Sequence, residues 1–345
     1  MLYYPLLRTK KGEVNALTTL GPDAVAATRP ILQVAPPDRD EKGELVAAST
    51  EYVTKIANTL HEVLAFGSQL SCYLDPSPAH LSTALLEDLL FAIGTYGGTP
   101  QPVYSLSNSI TYARLYRQLM GAPKAPIIRV RPDEITMEVL DDIEKAIQLY
   151  QLDAHRTLIL LDAGNIIESN GYFEMGLKGT INDLKSLGLA GIILASCALP
   201  ESLEEVIKWK PAIYSRKEVE LFKKMKAATK CELQFGDYAT GSVKIEPNIG
   251  RIGAPKVRYT LPNHYEILKG QMVGSRPHTM SEQYHRISEY LVSLLGYPGK
   301  RFSWGDDFIY KASLGGLHSR GNGTTWVSVS TSHHIELVVS TLPAM

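Results

Sequence analysis

The sequence predicts an α/β fold: a (β/α)8 TIM-like barrel with a C-terminal α+β extension packed on it. Three observations carry this expectation. Eight short apolar runs recur between residues 2 and 237 without alternating polar positions, so each reads as a strand covered on both faces. Amphipathic helical patterns stand between them. The eighth run ends at Asp237, which matches the roughly 200–250 residues such a barrel occupies.

The runs are LYYPLL (2–7), PILQV (30–34), LSCYLD (70–75), QPVYSL (101–106), PIIRV (126–130), TLILLD (157–162), GIILAS (191–196) and ELQFGD (232–237). In 51–66, Val53, Ile56, Leu60 and Val63 share one helical face; in 79–96, Leu81, Leu85, Leu89 and Ile93 do. Leu140, Ile143, Ile147 and Tyr150 mark a third helix, and Val219, Phe222 and Met225 a fourth. Weaker patterns fit 108–120, 177–187 and 201–209. Gly67, Gly97, Gly121 and Gly188 follow helices, where the left-handed conformation is needed. GTYGG at 94–98 precedes a strand, so it reads as a helix exit, not a phosphate loop. A doubly wound open sheet is the alternative, but no G-x-G-x-x-G follows the first strand.

The barrel is assigned to residues 1–240 and the extension to 241–345. The extension reads as a hairpin (255–270), a helix (281–296) capped by Ser281, and a strand within GNGTTWVSVSTSHHIELVVSTL.

Net charge is -1, with 44% hydrophobic and 21% charged residues, so there is no global pull toward nucleic acid or anionic membrane. Nothing approaches a membrane span, and MLYYPLLRTKKGE has no secretory h-region. Cys72, Cys197 and Cys231 form no metal or redox motif; a reducing, cytoplasmic setting is expected.

Barrel active sites lie at the C-terminal ends of the strands. Nearly every run ends in polar residues: Arg8, Lys10, Lys11 and Glu13; Gln33; Asp75; Ser107 and Asn108; Arg129 and Arg131; Asp162 and Asn165; Ser196; Asp237. Asp162 is expected at a shared mouth, neutralised by Arg129, with Asp237 beside them. Any one of these has a plainer reading as a helix cap or turn residue, Asp75 in DPSP above all. An Arg inside an apolar strand requires a carboxylate or an anionic ligand. The tail adds FSWGDD, GNGTTW and STSHHIELVV. FSWGD and TSHH are expected to come over the rim and complete the mouth, placing Asp306 and either His333 or His334 beside the strand ends. In a strand the two histidines face opposite ways, so one binds and the other packs. Trp304 and Trp326 either stack on a base or fill the seam between tail and barrel.

YYPLLRTKKGEVNAL with RPILQV resembles the start of the phage-type Beta protein family. GDYA (236–239), RYT (258–260), QY (283–284), FSWGD (302–306), GNGTTW (321–326) and TSHH (331–334) resemble that family's further landmarks in order. Gln33 stands where many members carry Glu, and Ser332 where Asn is usual. The resemblance implies a component of phage conflict or antiphage defence by abortive infection, as in the Gop–Beta–cII arrangement, with no reaction attached. Partners would be proteins of a defence or toxin module.

Two functions fit. In the enzymatic one, the mouth binds a phosphorylated or nucleotide-like ligand, with Lys11 and Arg129 on the anion. Asp162, Asp237 and a divalent cation activate water, and His333 or His334 is the general acid. Glu13, Asp75, Asn165, Trp304, Asp306 and Asn322 complete the ligand-binding set. In the other, a non-catalytic sensor or antitoxin-type protein binds a ligand or a toxin partner there.

Overall fold

The computed structural model describes residues 1–38, 49–65, 70–106, 109–245, 253–274, 278–315 and 320–345. Gly67, Ser107 and Asn108 lie outside the described residues. The elements follow in order: β1 (Tyr3–Arg8), α1 (Lys11–Leu17), α2 (Pro22–Ala27), β2 (Ile31–Gln33), α3 (Ser49–Ala65), β3 (Tyr73–Asp75), α4 (Thr83–Thr95), β4 (Gln101–Ser105), α5 (Ile110–Met120), β5 (Ile127–Val130), α6 (Val139–Leu149), β6 (Leu158–Asn165), α7 (Gly171–Leu184) and β7 (Gly191–Cys197). Then come β8 (Ala212–Ser215), α8 (Lys217–Thr229), β9 (Leu233–Asp237), β10 (Lys256–Thr260), β11 (His264–Lys269), α9 (Met280–Ser293), α10 (Trp304–Ser313) and α11 (Gly323–Thr341).

The strands β1-β2-β3-β4-β5-β6-β7-β9 form a closed barrel, and each pair around it is parallel, including the closing pair with Tyr3 beside Phe235 and Pro5 beside Asp237. These are the eight apolar runs. The pleat sorts them into two layers. Tyr4, Leu6, Ile31, Tyr73, Val103, Ile127, Leu160 and Ile193 fill the lumen. Leu7, Leu32, Leu74, Tyr104, Ile128 and Leu161 face the helices. Gly97, Gly121 and Gly188 take positive φ of 75°, 86° and 60° at the ends of helical segments.

β8, β10 and β11 form a separate antiparallel sheet, with β11 in the middle. One face joins the lumen core through Tyr265 and Ile267, beside Tyr238, Leu199 and Val206 beyond the ends of β7 and β9. The other face packs Val257, Tyr259 and Leu268 against Tyr284, Ile309 and Trp326 of α9, α10 and α11.

Three expectations need correcting. The strand expected in 321–342 is the helix α11, nineteen residues long. Its Val, Thr and Ser content favours strands only weakly. Burial nearly all round overrides that preference: Trp326, Val329, Thr331, His333, His334, Ile335 and Val338 are each nearly or fully enclosed. Residues 201–209 are bends and turns, not a helix. α9 starts two residues earlier than Ser281 suggests: Thr279 caps it, reciprocally with Glu282.

α11 also cuts across the 1–240 and 241–345 division. It runs parallel to α1, with Thr324 against Gly12, Ser332 bonded to Thr19 and Glu336 bonded to the Gly21 N–H. Ile335 and Val338 join the outer barrel core. The last helix therefore covers the β9–β1 closure from outside.

Candidate functional site

The C-terminal mouth is organised around Arg129. On β5, Ile127 faces the lumen, so Arg129, two residues on, does too. The same parity brings Gln33, Asp75 and Asp162 inward from β2, β3 and β6. Arg129 donates from Nη1 to Asp75 Oδ2 at 2.6 Å, and from Nε and Nη2 to Asp162 Oδ2 at 3.0 and 2.6 Å. Tyr238 O–H donates to the same Asp162 oxygen at 2.7 Å and accepts from Arg129 Nη2 at 2.9 Å. With its amide oriented to satisfy both ends, Gln33 accepts from Arg129 Nη1 at 2.6 Å. Asp75 Oδ1 takes the Ser77 N–H, and Asp162 Oδ1 the Gly164 N–H. Arg129 is 4% exposed, Asp75 0% and Asp162 1%. A buried guanidinium is tolerable only with such complete pairing. Arg129 and Asp162 therefore meet as expected, but as a sealed network.

Asp237 does not join them. Gly236 takes the inward position, where a Cβ would stand 3.0 Å from Ala195 Cβ and from the Tyr4 carbonyl oxygen. Asp237 then points into the helical layer. It accepts from Tyr3 O–H at 2.5 Å, from the Ala239 N–H at 2.8 Å and from His334 Nε2 at 2.9 Å. His334 Nδ1 meets Thr260 Oγ1 at 2.8 Å, so a neutral imidazole satisfies both sides. Burial pulls the His334 imidazole below its ordinary value, and the attraction of Asp237 does not reverse this. Burial would raise the Asp237 carboxyl, but His334, Tyr3 and Arg216 outweigh it and hold it low. Deeper in the same layer, Glu218 is clamped by Arg216 Nε at 2.9 Å and Tyr265 O–H at 2.8 Å.

His333 faces the other way along α11. Its Nδ1 lies 2.8 Å from Asp306 Oδ2, and its Nε2 lies 2.7 Å from the Thr260 carbonyl. Both nitrogens face oxygen atoms, and Tyr259 stacks on the ring at 4.1 Å. Asp306, fully buried, also accepts from Tyr259 and Ser303. FSWGD and TSHH thus lie outside the barrel wall instead of completing the mouth. Neither histidine reaches solvent. A divalent cation on Asp237 or Asp306 does not fit, because these carboxylates are already taken by hydrogen-bond donors. Among the described residues no three His, Cys, Asp or Glu side chains are grouped to hold an ion.

Several expected ligand residues have local structural work. Glu13 accepts the Arg8 N–H at 2.6 Å, closing the β1–α1 turn; burial raises its carboxyl against the pull of Arg8 and Lys10. Asn165 ties the Leu199 carbonyl to its own turn. Trp326 is buried and stacks on Tyr284 at 4.6 Å, filling the seam. Lys11, Trp304 and Asn322 do converge, but in a cleft outside the barrel.

A cavity and a pair of guanidiniums stand at the mouth beside this network. A cavity of about 310 Å³ lies beyond β3, β4 and β5, lined by Ser77, His80, Ser105, Thr111 and Arg131 among others; Arg131 Nη2 donates to Ser77 Oγ at 2.7 Å. On the opposite rim, Arg8 and Arg258 crowd together. Arg8 Nη2 donates to the Ser242 and Lys244 carbonyls, both at 2.8 Å. Arg258 Nη1 donates to the Thr240 carbonyl at 2.6 Å, and its buried Nε has no partner among the described residues. Burial, then the charge of Arg8, pulls the Arg258 guanidinium below its usual value; the same two causes act on Lys10. Sequence reasoning passed over Tyr238 and Arg258, although both stand in the GDYA and RYT motifs.

The fold and mouth define a parallel eight-stranded α/β barrel whose strand ends carry a buried Arg–carboxylate network. The chain belongs to the Beta protein family, whose model matches residues 3–340. No curated protein matches. Among solved structures, the chain is similar to dihydropteroate synthase from Anaplasma phagocytophilum with bound 6-hydroxymethylpterin-monophosphate, at 11% identity and TM-score 0.42, over 69% of this chain and 93% of that one. A sugar phosphate isomerase/epimerase from Parabacteroides distasonis matches at 10% identity and TM-score 0.29, over 72% and 88%. No helix is long and apolar enough to cross a membrane among the described residues.

Proposed function

We propose that this protein is a cytoplasmic, ligand-binding component of a phage-conflict or antiphage defence system, and that it holds a phosphorylated or nucleotide-like small molecule at the barrel mouth without transforming it. The biological setting rests on the family. The ligand rests on one observation: Arg8 and Arg258 are held together on backbone carbonyls, and among the described residues neither guanidinium forms an ion pair, the nearby Glu13 carboxylate being taken by the Arg8 backbone N–H. Two guanidiniums so placed repel each other until an anion arrives, and phosphate matches their donor forks. Binding is favoured over catalysis because Asp162, Asp237, His333 and His334 are each buried and bonded on both ends. A general acid must reach its substrate.

Calorimetric titration with ATP, AMP and inorganic phosphate tests this. At least one should bind and be recovered unchanged. Arg8→Gln and Arg258→Gln should each weaken binding by roughly tenfold or more. If none of the three binds, or if both variants bind as the parent does, the mouth is not an anion site. Consumption of the ligand would restore the enzymatic reading.

A further inference from the structure

The outer cleft has a volume of about 550 Å³. It runs along α1 from Lys11 to Thr19 and is closed by the first turns of α10 and α11 and the end of α3. α1 and α11 meet here as closely as glycine permits: a Cβ on Gly12 would stand 2.9 Å from the Thr324 carbonyl oxygen. We propose that this cleft binds a neutral saccharide of one or two rings.

The chemistry of its lining argues for that class. Thr18 and Ser328 donate their hydroxyl protons to the Asn15 and Thr324 carbonyls, which leaves oxygen lone pairs for a ligand. Glu62 adds a carboxylate acceptor. The Asn15 amide, in the orientation that satisfies it, steadies that carboxylate with a 3.0 Å bond to Oε2. Lys11 supplies N–H donors from the rim. Trp304 supplies an apolar face: it is 38% exposed, and Phe308 packs against it at 5.8 Å. A sugar ring has hydroxyls that donate and accept, and a C–H face that covers an indole. An anionic ligand would meet Glu62 and lone pairs with Lys11 alone to answer them. A cationic ligand would meet Lys11. The volume lies within the range of small-molecule sites, roughly 300–1,000 Å³. This site is independent of the mouth.

The test is binding of glucose, galactose, N-acetylglucosamine and maltose to the full chain, by saturation-transfer NMR and tryptophan fluorescence. At least one should bind at millimolar concentration and perturb Trp304. Trp304→Ala should weaken binding by roughly tenfold, and Glu62→Gln should weaken it too. Glu62 is exposed at the surface, so Glu62→Gln should leave thermal unfolding unchanged. Arg8→Gln should leave sugar binding intact while it weakens phosphate binding at the mouth. The proposal is overturned if none of the four sugars binds, or if Trp304→Ala binds as the parent does.

Discussion

At the scale of single residues, the acidic and basic groups act in pairs that cannot be parted cheaply. Arg129 satisfies two carboxylates, so Arg129→Met strands both of them inside the mouth. The expected loss is about 3–5 kcal/mol, measured by urea unfolding. Gln33 is the neutral member of the same cluster. Gln33→Glu would place a third carboxylate around one guanidinium, in a position that is 2% exposed. Its folded pKa would lie above the unfolded one, so the penalty should appear as pH rises past about 4.3 and grow toward neutrality. Thermal melts at pH 4.5 and 7.5 would show it; a penalty equal at both would contradict the account. His334 gives the opposite slope. Its pKa is depressed in the folded state, so the unfolded chain takes up the proton first. Its contribution is complete above about 6.5 and is lost as pH falls through the folded value. Asp237, also held low, adds a loss of the same sign below the ordinary carboxylate value. His334→Gln keeps a donor for Asp237 and an acceptor for Thr260, so it should flatten the melting temperature between pH 6.5 and 5.

At the scale of elements, the apolar runs located all eight barrel strands because burial on both faces leaves an unbroken signature. What the runs could not show was the facing of the last residue. Asp162 and Asp237 both end a run, yet the pleat turns one into the mouth and the other into the helical layer. Gly236 carried the clue, since the position without a side chain is the one pressed against the Tyr4 carbonyl. The tail was harder. Val327, Val329, Val338 and Val339 suggest a strand, and only neighbours distant in sequence make α11 a helix. One such neighbour is Gly305, where an added Cβ would overlap the Val329 carbonyl oxygen. Gly305→Ala should therefore push α10 off α11 at a cost of about 1–3 kcal/mol. Chemical denaturation would measure the loss, with Gly176→Ala, where a Cβ meets nothing, as the control.

At the scale of the whole molecule, the chain builds its barrel wall from both ends. Adjacent histidines on α11 bind different layers: His334 holds Asp237 of the barrel, and His333 holds Asp306 of α10. The helix that covers the β9–β1 closure thus arrives only after the three-stranded sheet, α9 and α10 have been laid down. A fragment of residues 1–240 would leave Tyr3, Leu17, Val25 and Asp237 facing water, so it should lack a cooperative unfolding transition. Order along the chain is not itself required. α11 runs parallel to α1 and antiparallel to β1, so its end lies near the start of β1, as in an ordinary helix-to-strand connection. A circular permutant that begins at Arg320, with a short linker joining Met345 to Met1, should keep every contact of α11 and unfold as cooperatively as the parent. Near-ultraviolet dichroism and thermal melts would compare the two chains. A permutant that folds while the fragment does not would show that the wall needs α11 in place and is indifferent to when it is made. If the fragment folds alone, the closure is stable without its cover, and α11 belongs to the appended layer.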